Sequence, residues 1–547
     1  MDNPPSGTNS PARNGRWLTG TTAASLAQLF LLVLAGWIRR HALNPDGVAY
    51  LRIAGYYAHG RMDLAVSGYW GPLLSWLMTP LLALEFSPLP AARVMMGLTA
   101  VFFLRSCLAV FRAFELPERL QRFGAWLAVG VSVCWSVENI TPDLLAAGLV
   151  GYAVSFMVRS GWHERWSTAA WAGLLWGLAF LAKAAAFPLG LVVTAGMTVA
   201  WWNAGVRDGK KIGCSALATL LGFAIVAGPW VGVISAKYHQ LTISRSAQLN
   251  HAMMGPADVA RFYPLDRGLQ APEAGRVTFW EDPDLPYPDW SPLANAANAQ
   301  HQLAIILRNT PKVAFMLTCV CALFPFLLLI FAANCFRAES RRTLAEERWW
   351  WAWLPVAALG ATYLSGNLLI SEQRYFYAAF PFLFILCAGS FMGWKPAGFA
   401  PGRARCWACA VALTCLLPTL LRPTVWRPPS STAGDCAWTL ARRLSALGIS
   451  GPVASSAQMR GGRAGMYVAF HLGVPWYGDA RQPSAAEFEQ SHARLIIVNR
   501  NLPVCAELGR DTNFIDLDGR LFGSPEEAMQ FPLKAYQSAR YVAPETR

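Results

Sequence analysis

The chain alternates apolar runs with short polar stretches, and the pattern persists from residue 17 to residue 421. A membrane-crossing helix takes about 20 largely apolar residues. On that criterion the pattern predicts spans at about Trp17–Ile38, Leu89–Phe111, Phe123–Val137, Leu144–Val158, Ala169–Leu181, Phe187–Trp202, Ile212–Ile234, Val313–Phe336, Trp350–Leu369, Phe376–Trp394 and Cys406–Leu421. These make a polytopic α-helical membrane protein with about eleven crossings. The apolar piece Pro72–Phe86 is short for a crossing and fits an interfacial or re-entrant segment. Residues 1–15 are rich in Pro, Ser, Gly and Asn and read as disordered.

Charge gives these spans a direction. A cytoplasmic N-terminus puts Arg13/Arg16, Arg112/Arg119/Arg122, Arg159/Arg165, Arg207/Lys210/Lys211, Arg337/Arg341/Arg342/Arg348 and Lys395/Arg403/Arg405 inside. Basic loops mark the cytoplasmic side, so every inner loop obeys the rule. The same placement puts four segments outside: a first loop at about 39–88, the turn Glu138–Asp143, a long loop at about 235–312, and the turn Ser371–Tyr375. The stretch 422–547 follows the last span and also lies outside. It reads as a small soluble α/β domain, because ALGISGPVASSA looks like a helix end, a Gly turn and a strand, and Ala493–Asn499 is an apolar strand. The transmembrane domain thus covers 16–421.

Composition agrees. The 547 residues are 54% hydrophobic and only 14% charged, against about 25% charged in a soluble chain. The net charge of +14 is spread over short clusters between spans, which encodes orientation and argues against nucleic acid as a partner. There is no Walker loop, no HExxH and no GxGxxG after a strand, which argues against a nucleotide-driven pump. Cys406, Cys409 and Cys415 lie in an apolar run without histidine and read as packing residues, not a zinc set. Cys436 and Cys505 lie outside the spans, where an extracytoplasmic location permits a disulfide.

The ionisable residues at outer span ends carry the candidate chemistry. Pro45 and Asp46 begin a predicted helix with an apolar stripe (Val48, Leu51, Gly55, Ala58) and a polar one (Arg52, Tyr56, His59), as in a helix lying along the membrane surface. Asp46 is a helix cap, a catalytic carboxylate, or both. Asp143 follows Pro142 at a helix start, and Glu138 is close by; they are caps or second carboxylates of the same cavity. Lys183 snorkels to the interface or holds a phosphate. Glu372, Arg374 and Tyr375 form an interfacial belt, or a phosphate-binding arginine held by a carboxylate. Tyr50, Tyr69 and Trp70 line the first loop. Phe279–Pro292, FWEDPDLPYPDWSP, suits a sugar or headgroup surface and equally an ordinary folded loop.

The order of these features resembles a family, the C-type (GT-C) membrane glycosyltransferases that use polyprenyl-phosphate sugars. The branch with protein O-mannosyltransferases and the lipid A aminoarabinose transferase is most similar. The resemblance rests on PDGVAYL, YWGPLLSWL, TPD before the fourth span, GLAFLAK, Gly228–Trp230 and QRYFYAAFP, over about residues 17–395. Many members have Asp-Glu where this chain has Asp46-Gly47, and His-Pro-Pro or Lys-Pro-Pro where it has Trp70-Gly71-Pro72. The resemblance implies an inverting hexosyl or pentosyl transfer from a polyprenyl phosphate to a lipid, glycan or protein acceptor. It implies Asp46 as catalytic base, Asp143 as second acid, and Lys183, Arg374 and Tyr375 near the lipid phosphate. The expected location is a bacterial inner membrane, with the site facing the periplasm. A divalent cation, Mg²⁺ or Mn²⁺, or a fixed arginine would serve the phosphate equally. Two other classes fit a polytopic chain: a transporter or lipid flippase, and an inactive glycolipid-binding scaffold. The first predicts internal repeats and charges at mid-membrane, where this chain has neither in quantity.

Overall fold

A computed structural model describes residues 12–284, 287–336, 347–365, 372–393, 432–459 and 462–541. The predicted span Cys406–Leu421, its three cysteines, and Arg337, Arg341, Arg342, Lys395, Arg403 and Arg405 lie outside the described residues. The apolar runs fold as helices: α1 (Ala12–Ile38), α2 (Pro45–Ala58), α3 (Met62–Ala65), α4 (Leu73–Ala83), α5 (Pro88–Ala113), α6 (Glu118–Glu138) and α7 (Asp143–Val158). They continue with α8 (Gly161–Glu164), α9 (Trp166–Ala182), α10 (Ala186–Asn203), α11 (Gly209–Tyr238), α12 (Arg245–Met253), α13 (Ala296–Val320), α14 (Phe324–Phe336), α15 (Trp353–Ser365) and α16 (Phe380–Gly393).

Among the described residues, α5, α11 and α13 are long and apolar enough to cross a membrane, and α1, α4, α7, α9 and α14 contribute shorter apolar helices. Small residues let these helices approach closely. A Cβ on Gly177 of α9 would lie 2.6 Å from the Val226 Cβ of α11. The outward face of α11 leaves Leu217, Leu220, Leu221, Ile225 and Val233 exposed, as a lipid-facing surface requires.

Three elements differ from the sequence reading. Helix α1 begins at Ala12, inside the stretch read as disordered. Helix α13 begins at Ala296, well inside the long outer loop, because Asn295 caps it by accepting the Asn298 N–H at 2.8 Å. Helix α2 is not a surface helix. Val48, Leu51, Ile53 and also Tyr56 of the polar stripe are buried, because the long loop and the C-terminal domain cover it. Amphipathicity reports one apolar face but not what covers the other.

The C-terminal domain packs α17 (Ala433–Ala446) and α18 (Ala464–Leu472) against a five-stranded sheet ordered β4-β1-β5-β7-β6. Its strands are β1 (Val453–Ser456), β4 (Trp476–Asp479), β5 (Leu495–Asn499), β6 (Phe514–Asp516) and β7 (Leu533–Ser538); β2 (Gln458–Met459) and β3 (Gly462–Arg463) form a separate ribbon. Strand β1 is parallel to β4 and β5, while β7 runs antiparallel to β5 and β6. Cys436 and Cys505 are not joined by a disulfide. Cys436 packs with Leu495 and Ile497, and Cys505 with Ile496 and Val498, so β5 separates them by its two faces.

Edge strand β4 is covered by the long loop. The Trp476 N–H donates to the Val277 carbonyl at 2.7 Å, and the Gln270 N–H to the Tyr477 carbonyl at 2.7 Å. Phe279 stacks on Trp476 with ring centroids 6.5 Å apart. Arg463 bridges Asp479 of the domain (2.7 Å) and Asp266 of the loop (2.5 Å). The upper end of the helical body, which carries α2, is thereby roofed by the loop and the domain together.

Candidate active site

The site is assembled from helix ends. Asn44, not Asp46, occupies the cap position of α2, and its side chain accepts the Ile140 N–H at 2.9 Å. Pro45 follows, where a missing N–H costs nothing. Asp46 therefore sits in the first turn, where the helix dipole favours a carboxylate and where it has no capping duty. Gly47 lies against the Ile140 turn, and a Cβ there would be 2.8 Å from Asn44 Oδ1 and 3.0 Å from Ile140 Cβ. The close approach explains glycine in place of the glutamate common in the resembled family. It also docks α2 onto the start of α7, beside Asp143.

Asp143 opens α7 and is buried. Lys183 ends α9, and its ammonium pairs with Asp143 Oδ1. The Lys183 Nζ also lies 4.0 Å from the centre of the Tyr375 ring, a cation–π contact. Tyr375 in turn stacks on Tyr363 at 5.3 Å. Gly71 explains the other family departure. A Cβ there would be 2.5 Å from the carbonyls of Leu181 and Ala182, so the Tyr69–Pro72 loop rests directly on the end of α9.

Arg374 joins the groups. It lies in the 3-10 turn Gln373–Ala379 that precedes α16. Its Nη1 is 2.7 Å from Asp46 Oδ2 and 3.8 Å from Asp143 Oδ2, and its Nε pairs with Glu372. The Arg374 and Asp143 side chains are 11% and 4% exposed, so water screens this cluster weakly. Burial pushes the Glu372 carboxyl above its usual range, against the lowering effect of Arg374.

The opposite side of Asp46 is aromatic. The Trp280 indole N–H donates to Asp46 Oδ1 at 3.2 Å. The Trp70 indole N–H donates to the Trp280 carbonyl at 2.7 Å. Tyr50 and Tyr69 pack edge-on against Trp70, with centroids 5.1 and 4.7 Å away. The next two residues of the loop anchor Trp280. Glu281, fully buried, accepts the Tyr56 hydroxyl (2.6 Å) and the Val277 and Thr278 N–H groups (3.0 Å each). Asp282 accepts from Ser67, Lys237 and Tyr238 at 2.7–2.9 Å.

Of the residues singled out in sequence, Asp46, Asp143, Lys183, Glu372, Arg374 and Tyr375 meet in one cluster, and Tyr50, Tyr69 and Trp70 flank it. Glu138 is not part of the ion pairs described for this cluster, and its charge acts on Arg39. Trp280 was seen only as part of an aromatic loop. The signal that singles it out is its place inside FWED, where two acids follow it.

No family model matches the sequence. No curated protein matches it significantly in sequence. In three dimensions the chain is similar to ArnT from Cupriavidus metallidurans bound to undecaprenyl phosphate. The TM-score is 0.56 at 14% identity, over 96% of this chain and 99% of that one. ArnT in the apo state gives 0.54 at 13% identity, over 97% and 99%. At such identity the likeness is one of fold. The chain thus shares the fold of ArnT, in keeping with the resemblance drawn from its sequence.

Proposed function

We propose that this chain is an inverting glycosyltransferase that moves a sugar from a polyprenyl-phosphate donor to an acceptor on the extracytoplasmic face of the membrane. The observation that carries the reading is the convergence of Asp46, Asp143, Lys183 and Arg374 from four separate helix ends. Two cations held between carboxylates suit a phosphate that arrives with one negative charge and leaves with two. Lipid donors reach a site at helix ends from within the bilayer.

In the free protein, Arg374 and Lys183 are neutralised by Asp46, Asp143 and Glu372. A donor phosphate competes for both cations and releases one Asp46 oxygen, while Trp280 keeps the carboxylate oriented. The acceptor O–H or N–H then attacks the sugar C1 and gives its proton to Asp46. The C1–O bond to phosphate breaks, and its electron pair stays on the phosphate. Arg374 and Lys183 stabilise the charge that develops there, the term that dominates in such sites. One displacement inverts the anomeric centre. Arg374 stands within 4 Å of three carboxylates, and this position supports the guanidinium as the group that stabilises the charge.

The test is sugar release from a panel of polyprenyl-phosphate sugars by the purified protein and by Asp46→Asn. Turnover by the parent alone supports the reading and identifies the donor. Turnover by both removes Asp46 as base. Turnover by neither, with a panel and acceptors shown to work for a related enzyme, favours a transporter or a glycolipid-binding scaffold.

A further inference from the structure

A cavity of about 520 Å³ lies along the later turns of α2, and none of its lining residues belongs to the Asp46 cluster. Its walls come from α2, from the turn between α4 and α5, from the long loop at Gly275 and from α18 of the C-terminal domain. The volume is ordinary for a small-ligand site, roughly 300–1,000 Å³. Leu51, Leu82, Phe86 and Phe470 make part of the lining apolar, while Arg52 and Glu85 bring opposite charges into it.

Arg52 is held in place with one donor to spare. Its Nη2 donates to the Tyr56 hydroxyl at 3.2 Å, and its Nε stands 3.9 Å from the buried Glu281 carboxylate. Its Nη1 has no hydrogen-bond partner among the described residues and is open to solvent, the side chain being 29% exposed. Glu85 lines the same cavity, and its carboxylate has neither a hydrogen bond nor an ion pair among the described residues. Glu115 holds the equivalent place after α5, with the same left-handed backbone (φ 56° against 61°), and it does have a partner, Arg348 at 3.4 Å. One cavity thus offers a fixed cation and a carboxylate that do not neutralise each other. Such a lining is complementary to a ligand that carries both charges itself.

The cavity also runs into an apolar surface. Helix α4 exposes Trp76 and Leu77, and the turn that follows it exposes Leu84 and Phe86. Phe86 belongs both to this surface and to the cavity lining. A ligand whose charged end sits between Arg52 and Glu85 therefore has an apolar path leading away from it.

We propose that this cavity binds the headgroup of a zwitterionic aminophospholipid, with the phosphate on Arg52, the primary ammonium on Glu85 and the acyl chains along Leu84 and Phe86. A guanidinium donor suits a phosphodiester oxygen. An ammonium has three N–H donors and needs an acceptor, which the carboxylate supplies.

The experiment measures equilibrium binding to the full chain, stripped of lipid in a neutral maltoside detergent. The probe is radiolabelled dioctanoyl phosphatidylethanolamine. It is compared with dioctanoyl phosphatidylglycerol, which has the phosphate without the ammonium, and with free phosphoethanolamine, which has the headgroup without the chains. The parent binds the aminophospholipid saturably and roughly fivefold tighter than phosphatidylglycerol. Free phosphoethanolamine competes only at far higher concentration, because it buries no chain. Glu85→Gln removes the preference between the two lipids, and Glu85→Lys reverses it. Arg52→Gln weakens both lipids about tenfold. Glu85 is exposed on a turn, so its variants carry the test even where Arg52→Gln, next to Glu281, fails to fold. Equal affinity of the parent for the two lipids overturns the proposal, as does a preference that survives Glu85→Gln. Free phosphoethanolamine binding as tightly as the lipid overturns the assignment to a lipid. No arm involves sugar transfer, so a failure here is separable from a failure of the transferase reading.

Discussion

Asp46 is held from two sides that differ in kind. On the helical side its partner is Arg374, part of a charged cluster with Asp143, Lys183 and Glu372. On the loop side its partner is Trp280, a neutral donor set among Trp70 and Tyr69. If the proposed function holds, the charged side supplies electrostatic work and rearranges when a phosphate enters. The aromatic side carries no charge, so an anion would gain nothing by displacing it. On that proposal, substrate binding and charge stabilisation fall to the helices, and orientation of the carboxylate to the loop.

The largest effect is expected from the group both sides hold. Asp46→Asn keeps the size of the side chain but not the base, and kcat for sugar release falls about 10²–10⁴-fold; a loss under tenfold breaks the assignment. On the charged side, Arg374→Gln lowers kcat about 10²–10³-fold and weakens donor binding as well. Arg374→Lys does not restore it, because a point charge cannot reach three carboxylates at once. If chelation of divalent metals by EDTA matches the arginine loss, the guanidinium is not the principal cation. On the aromatic side, Trp280→Phe removes one N–H and keeps the ring packing, costing roughly tenfold in kcat with the donor Kd unchanged. Trp476→Ala, which removes the ring stacked on Phe279, shifts kcat in the same direction. A change in donor Kd with either variant would erase the division between the sides.

The smallest effect is a pH dependence of stability. Burial raises the Glu281 carboxyl above its ordinary value, with Arg52, Tyr56 and Arg276 opposing. A raised carboxyl binds its proton more tightly folded than unfolded. The stability it contributes is complete below about pH 4.5 and is lost as the pH rises through the folded value. Glu281→Gln keeps an acceptor for the two backbone N–H groups and does not titrate. Its unfolding midpoint relative to the parent therefore rises between pH 5 and pH 8, and a flat difference removes the argument.

The charged side was legible in the sequence because charge is conspicuous at the end of an apolar run. Asp46, Asp143, Lys183 and Arg374 each interrupt or border such a run, and the fold brings them together. The aromatic side was not legible. Trp280 reaches Asp46 only because β4 and Tyr56 pin the loop from opposite sides, and loop aromatics carry no periodic signal. Glu138 shows a related point: a helix end has a full circle of directions, and sequence spacing alone does not choose among them. The helical character of the body followed from hydropathy, whereas the burial of α2 depended on a roof built from residues far along the chain. Gly47 and Gly71, which read as departures from a family pattern, are positions where a neighbour leaves no room for a Cβ: the Asn44 and Ile140 side chains at one, the Leu181 and Ala182 carbonyls at the other.

The covered edge of β4 has a consequence for biogenesis. The loop that supplies Val277 leaves the ribosome about two hundred residues before Trp476, a delay on the order of 10–40 s at ordinary translation rates. Until that strand arrives, the loop is held by Tyr56, Ser67, Trp70, Lys237 and Tyr238, without the Val277 hydrogen bond and the Phe279 stack that Trp476 supplies. A later segment thus completes the packing of an earlier loop, and a chain interrupted before residue 476 inserts its helices without that support beside Asp46.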